Sequence, residues 1–202
     1  MHPPNSNSYP ELGPGKLLPE EVLRQHLAGC GQGVRVFQGC RLVHPERIWI
    51  GDYTQIDEGV WIFAGEEVRI GRYVHLAFAC SISGGGRCWI GDFASIGAGV
   101  RVITGTDVVD GKGLTNPTVP KEYRAVERSF VEIGPHAVIF TNAVVLPGVR
   151  LGEGAVVAAG SIVHHDLQPW HIYAGNPLVP VGIRPKEKIL TLAQTALRDI
   201  HH

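Results

Sequence analysis

The sequence predicts an all-β solenoid of stacked parallel strands, and three observations carry that expectation. Large aliphatic residues recur every six positions, as Ile50, Ile56 and Ile62, then Ile70, Leu76 and Ile82, then Ile90, Ile96 and Val102. Each set of three opens on a similar phrase, "IGDY", "IGRY" or "IGDF", so three hexads make one turn. Small residues sit beside the aliphatic ones throughout. A hexad with one large apolar residue and a nearby Gly, Ala, Ser or Cys fits one side of a triangular coil with tight corners, which gives the 26 glycines a structural use. Six is not a helical period, and a chain rich in Gly, Val and Ile is poorly suited to helix interiors.

The elements follow in order. Residues 1–33 form an extension in which "KLLPEEVLRQHLAG" has helical spacing of Leu18, Val22, Leu23 and Leu27. The coil occupies residues 34–170. Two extra residues separate its early sets, as in "EVRIGR" and "RCWIGD", whereas Ile133, Ile139, Val145, Leu151, Val157 and Val163 follow one another without an insert. Between those stretches the repeat breaks, from about residue 104 to 129. Residues 171–202 form a tail whose "PKEKILTLAQTALRD" places Ile189, Leu190, Leu192, Ala193, Ala196 and Leu197 at helical spacing. Both helices are expected to cover ends of the coil, where open strand edges and apolar interior would otherwise meet water.

Composition narrows the function. Basic and acidic side chains number 18 and 19, which leaves no electrostatic footprint for nucleic acid. No run approaches the roughly 18 apolar residues of a membrane span, and "MHPPNSNSYP" is unlike a signal peptide, so a cytoplasmic protein is expected. Cys30, Cys40, Cys80 and Cys88 show no CxxC pairing and read as reduced, mostly core residues.

From about Val34 to Arg184 the chain resembles the left-handed β-helix acyltransferases with hexapeptide repeats. The most telling stretch is "VVLPGVRLGEGAVVAAGSIVHHDLQPWHIYAGNPLVPVGIR", similar to the closing coils of that family and its "GNP" turn. The resemblance implies left-handed coiling, a homotrimer with active sites between subunits, an acyl-coenzyme A lying along a groove, and a projecting loop that helps close a neighbour's site. Residues 104–129 stand where the family puts that loop. "TGTD" followed by "LTNPTVPKEYR" looks like a subgroup that includes N-acyltransferases of nucleotide-linked amino sugars.

Many family members carry a catalytic histidine in this part of the chain, but none occurs here between His75 and His136. Asp107 stands where the repeat gives way to the loop. Acyl transfer from a thioester needs a nucleophile with a free lone pair, a destination for its proton and a donor for the developing oxyanion. An amine reaches its nucleophilic form without the strong base an alcohol requires, so the missing loop histidine favours transfer to an amine. Asp107 is expected to orient that ammonium, or else to serve as a turn residue bonding its own backbone. His75 and His136 are the alternative bases, and a histidine base would favour a sugar hydroxyl as acceptor. Asn116, Glu122, Tyr123 and Arg124 are candidates for the acceptor's rim, against the plainer readings of turn former and solvated charge cluster.

The coenzyme contacts implied by the resemblance fall on Thr141, Ala159 and His164. Gly160, Ser161 and the turn containing Ala174 and Asn176 shape the same groove. The family's basic residue after the "GNP" turn is replaced here by Val179, leaving phosphate contact to Arg184 or Lys186. A zinc hydratase built on such a coil would need two histidines at a fixed spacing on one chain. The adjacent His164 and His165 point to opposite faces of a strand and cannot share a metal, so no metal is expected. A non-catalytic scaffold is the remaining alternative.

Overall fold

The computed structural model describes residues 15–200, with side chains through residue 198. The polar N-terminal stretch and the final His-His lie outside the described residues. The chain winds into about seven turns of a parallel β-solenoid. Its strands stack into three sheets, one per side of a triangular prism, and every neighbouring pair of coils in them is parallel. The first face runs from Gly29–Cys30 to Val149–Leu151. The second runs from Arg35–Val36 to His171–Ala174, and the third from Arg41–Val43 to Ile162–Val163.

The hexad is legible in the burial. Ile56, Ile82, Ile96, Ile139, Leu151 and Val157 all point inward and are at most 2% exposed. In register they stack on equivalents such as Leu76 and Ile62, so one apolar residue per side per coil fills the prism. Each fully buried aliphatic side chain of this kind contributes roughly 1.5–3 kcal/mol. Cys80 and Cys88 belong to this interior, and burial pushes both thiols up to about 12, consistent with inert core residues.

The three corners differ, and the difference positions the functional parts. At the first corner, between first and second faces, Tyr53, Tyr73, Phe93 and His136 all adopt left-handed backbone with φ of 56–61°. Their rings form a ladder with centroids 5.1, 5.0 and 5.1 Å apart. Gly154 leaves a gap in it: a Cβ there would lie 2.3 Å from the Trp170 ring, which fills the space and continues the ladder to His136 at 6.2 Å. The second corner is a tight turn with left-handed residues Gly59, Ala79, Gly99, Asn142 and Gly160. The third corner carries the two spare residues in the early coils and the long interruption after the fourth.

The two helices behave differently. In Glu20–His26, and just beyond it, Leu23 and Leu27 enter the core against the first strand, whereas Val22 stays 37% exposed. The tail helix Lys186–Ile200 packs little against its own coil. None of its described side chains is buried, and Leu192 is 66% exposed. The preceding strand Val179–Ile183, fully exposed along its length, pairs antiparallel with His171–Ala174 and returns the chain to the first corner, where Arg184 N–H bonds the Trp170 carbonyl at 2.8 Å and Lys186 at the start of the helix lies over the Trp170 ring.

Candidate active site

The interruption is an ordered hairpin. Gly105–Asp107 pairs antiparallel with Val126–Arg128, Asp107 standing opposite Val126, and Val108 N–H extends the pairing to the Ala125 carbonyl at 2.9 Å. Thr104 roots it in the coil: its buried hydroxyl donates to the Ser83 carbonyl at 2.8 Å and accepts from Gly86 N–H at 2.9 Å. The triplet Gly84–Gly85–Gly86 on the coil below makes that root possible. A Cβ on Gly84 would meet Gly105 N at 2.3 Å, and one on Gly86 would meet the Ser129 carbonyl at 2.1 Å. Both obstacles are backbone, so no side-chain movement could relieve them. The sequence showed "SGGGR" as glycines in a glycine-rich repeat; only the packing reveals that this triplet is the seat of the loop.

Within the hairpin, Asp110 is a turn residue: Oδ1 accepts from Lys112 N–H at 3.1 Å and Oδ2 pairs with Lys112 Nζ at 2.6 Å. Asn116 likewise orders its own turn, accepting from Thr118 N–H at 3.0 Å and from its hydroxyl at 2.8 Å. Lys121–Tyr123 makes one 3-10 turn that leaves Tyr123 61% exposed and Glu122 exposed beside it. Asp107 is half-buried, and its Oδ1 is out of contact with solvent yet lacks a hydrogen-bond partner. Arg124 Nε is in the same condition. A buried polar atom without a partner is costly, and the hairpin carries two of them.

The two histidine alternatives occupy distinct settings. His75 faces outward from the second face, where its Nε2 lies 2.8 Å from Asp57 Oδ2 while Gln55 donates to Asp57 Oδ1 at 2.7 Å. A carboxylate accepts, so this contact pairs Asp57 with an Nε2–H form of the His75 ring. Sequence spacing gave no sign of this pair, because Asp57 and His75 are neighbours only through the coil. His136, by contrast, is a rung of the first-corner ladder. Burial is the main cause that lowers its pKa, and the Arg184 charge adds to it against Glu153 and Asp92. Its ring lies between Phe93, stacked at 5.1 Å, and Trp170, tilted at 6.2 Å, a setting unlike that of His75.

The residues proposed for the coenzyme do not all meet on one chain. Thr141, Ala159 and Gly160 share the second corner, with Gly160 N–H bonded to the Thr141 carbonyl at 3.0 Å, and the turn with Ala174 and Asn176 lies on the next coil of the same edge. Ser161 is fully buried and accepts from Gly175 N–H at 2.9 Å, so it shapes that turn from within. His164 is exposed on the third corner, edge-on to His165 at 4.7 Å. Arg184 does not stand in this groove. It donates to the carbonyls of His136 and Gly154 and lies along Trp170 at the first corner. Among the described residues no group of three or more His, Cys, Asp or Glu side chains is arranged to hold a metal.

Residues 130–165 match the family described as bacterial transferase hexapeptide (six repeats). A dTDP-4-amino-4,6-dideoxy-D-glucose acyltransferase of Escherichia coli is 34% identical over 163 residues, covering 80% of this chain and 84% of that protein. The chain belongs to the hexapeptide-repeat acyltransferases. AntD, an N-acyltransferase from Bacillus cereus solved with dTDP and 3-hydroxybutyryl-CoA, superposes on the enzyme with a TM-score of 0.85 at 28% identity, covering 93% of this chain and all of that one. A variant of AntD solved with dTDP-4-amino-4,6-dideoxyglucose and coenzyme A superposes equally well, at 29% identity. The hexapeptide-repeat acetyltransferase VCA0836 from Vibrio cholerae, 21% identical with a TM-score of 0.57, shares the fold.

Proposed function

We propose that the enzyme transfers an acyl group from acyl-coenzyme A to the amino group of a nucleotide-linked amino sugar, with Asp107 orienting the ammonium. The observation that carries this reading is the hairpin itself: it has no histidine, and it presents one carboxylate with an unpartnered buried oxygen. The relatives named for a dTDP-linked 4-amino sugar and for N-acyl transfer support the choice of acceptor. In the reaction the ammonium gives up a proton to water, the amine attacks the thioester carbonyl, and the carbon–sulfur bond breaks as the thiolate departs and takes up the proton that the acylated nitrogen loses. Asp107 holds the ammonium by charge and releases it as the amine forms; a carboxylate suffices because the amine needs no strong base.

The assembly belongs to the same reading. The hairpin leaves the third corner, whereas Thr141, Ala159 and Gly160 line the second, so a homotrimer in which one subunit's hairpin closes a neighbour's groove unites them. His75, paired with Asp57, is the base for a second reading, O-acylation. An assay of free thiol release from acetyl-coenzyme A with matched amino- and hydroxy-sugar nucleotides tests the proposal: turnover with the amine alone is expected, and turnover with only the hydroxy sugar overturns it.

A further inference from the structure

The enzyme has four tryptophans, and three are engaged. Trp49 carries the Arg69 guanidinium at 4.4 Å over its ring. Trp89 donates Nε1 to Glu67 at 3.1 Å with Arg87 stacked at 5.4 Å, and Trp170 donates to Glu153 at 3.3 Å. These pairings also explain why the shallow concavity of about 800 Å³ along the first face carries no inference: Trp49, Arg69 and Trp89 on its wall each already have a partner. Trp61, on the third face, is different. It is 42% exposed, and among the described residues its indole has neither a hydrogen-bond partner nor a cation over its ring.

Its surroundings form a slot. In register, Arg41, Trp61, Ser81 and Arg101 follow one another on successive coils, and Phe63, Ser83 and Ile103 run parallel to them two residues further along. The small Ser81 and Ser83 thus lie between Trp61 with Phe63 on one coil and Arg101 with Ile103 two coils on, strands about 10 Å apart, and Ser81 itself is buried beneath the Arg101 side chain. Arg101 bends toward Ser81: one Nη donates to the Ala79 carbonyl at 2.5 Å and reaches Ser81 Oγ at 3.4 Å, leaving its remaining N–H groups unused. None of the outward strand positions on this face is acidic. At its far end the slot meets the root of the hairpin, where the position above Gly85 is flanked by the Phe63 ring and Arg128 Nε.

We infer that this slot binds the nucleoside diphosphate part of the acceptor, the base stacking on Trp61 and the diphosphate meeting Arg101. The inference rests on the reading of the acceptor as a sugar nucleotide. A free indole face supplies stacking that any base accepts, and a guanidinium with spare donors in a face without acidic side chains suits phosphate oxygens. The slot runs toward the hairpin, so a sugar attached beyond the diphosphate is directed to the element that carries Asp107.

Titration calorimetry on the full-length enzyme with dTDP and with thymidine tests this, alongside sedimentation and the thiol-release assay. Trp61→Ala should weaken dTDP at least tenfold and Trp61→Phe much less, with coenzyme A affinity unchanged. Arg101→Gln and the milder Arg101→Lys should weaken dTDP while leaving thymidine binding as it was. Unchanged dTDP affinity in Trp61→Ala overturns the inference, as does dissociation of the assembly in that variant, which would make Trp61 a subunit contact. Failure of the wild type to bind dTDP or to acylate any amino-sugar nucleotide would instead sink the reading of the acceptor.

Discussion

The first and third corners are built on the same repeat and do opposite things with it. At the first, successive coils place Tyr53, Tyr73, Phe93 and His136 in one column, Trp170 covers the gap above Gly154, and Arg184 ties its guanidinium to the carbonyls of His136 and Gly154. The polar groups there are satisfied within the chain. At the third, spacing varies, side chains shrink to the Gly84–Gly85–Gly86 triplet, and a hairpin leaves the coil with Asp107 Oδ1 and Arg124 Nε unpartnered. A repeat that closes on itself yields rigidity, and a repeat that breaks yields a site. The rigid corner gives the broken one a fixed platform.

The contrast is broken most severely by attacking the interior both corners share. Replacing Ile96, 1% exposed, with Asp leaves an unpaired charge in the core at a cost of at least several kcal/mol, so no soluble protein is expected on expression. Normal yield and melting temperature in that variant would overturn the register. Next in size is Asp107→Asn, which keeps the shape and removes the charge. The rate constant for transfer should fall by roughly 10²–10⁴ while coenzyme A affinity holds, as read from steady-state kinetics and calorimetry. Full activity in Asp107→Asn, with loss in His75→Asn, would shift the chemistry to the His75–Asp57 pair and to a hydroxyl acceptor.

Assembly supplies a sharper test. A subunit lacking residues 108–128 and one altered in the coenzyme groove should each be inactive alone and recover activity on mixing, if the hairpin acts across subunits. Absence of recovery in a mixed trimer would confine each hairpin to its own chain. At the hairpin's seat, Gly86→Ala places a methyl group against the Thr104 and Ser129 carbonyls and must displace the root. Transfer should drop at least tenfold with only a modest fall in melting temperature, because the coils below remain packed. An equal loss of both would show the triplet to be part of the core.

The smallest effect belongs to the first corner. His136 has its pKa lowered by burial, so the fold favours its neutral form. The stability linked to that preference is intact above the ordinary histidine pKa of about 6.5 and is lost progressively as pH falls toward the folded value. His136→Phe keeps the stack and removes the titration. Its melting temperature should therefore decline less than that of the wild type between pH 7 and pH 5, by about a degree or two given the partial exposure of the ring. Parallel declines would show that the ladder does not sense protonation.

The sequence by itself determined the solenoid, because the hexad is a statement about which side chain points inward and each coil repeats it: Ile56, Ile96 and Val157 could be assigned to the interior without knowing what they touch. It also marked the hairpin, since a break in a strict period is visible as such, and it drew attention to Asp107. Tertiary structure decided what lies beside what. Asp57 and His75 are 18 residues apart yet share a hydrogen bond, and His136 and Arg184, 48 residues apart, meet at one corner through a backbone carbonyl. The fate of the tail helix, the seat formed by Gly84–Gly85–Gly86 and the unpartnered Trp61 were illegible for the same reason. Period reports the direction of a side chain, whereas its partners are set by coil pitch, corner geometry and register, which place residues of adjacent turns about 5 Å apart whatever their distance along the chain.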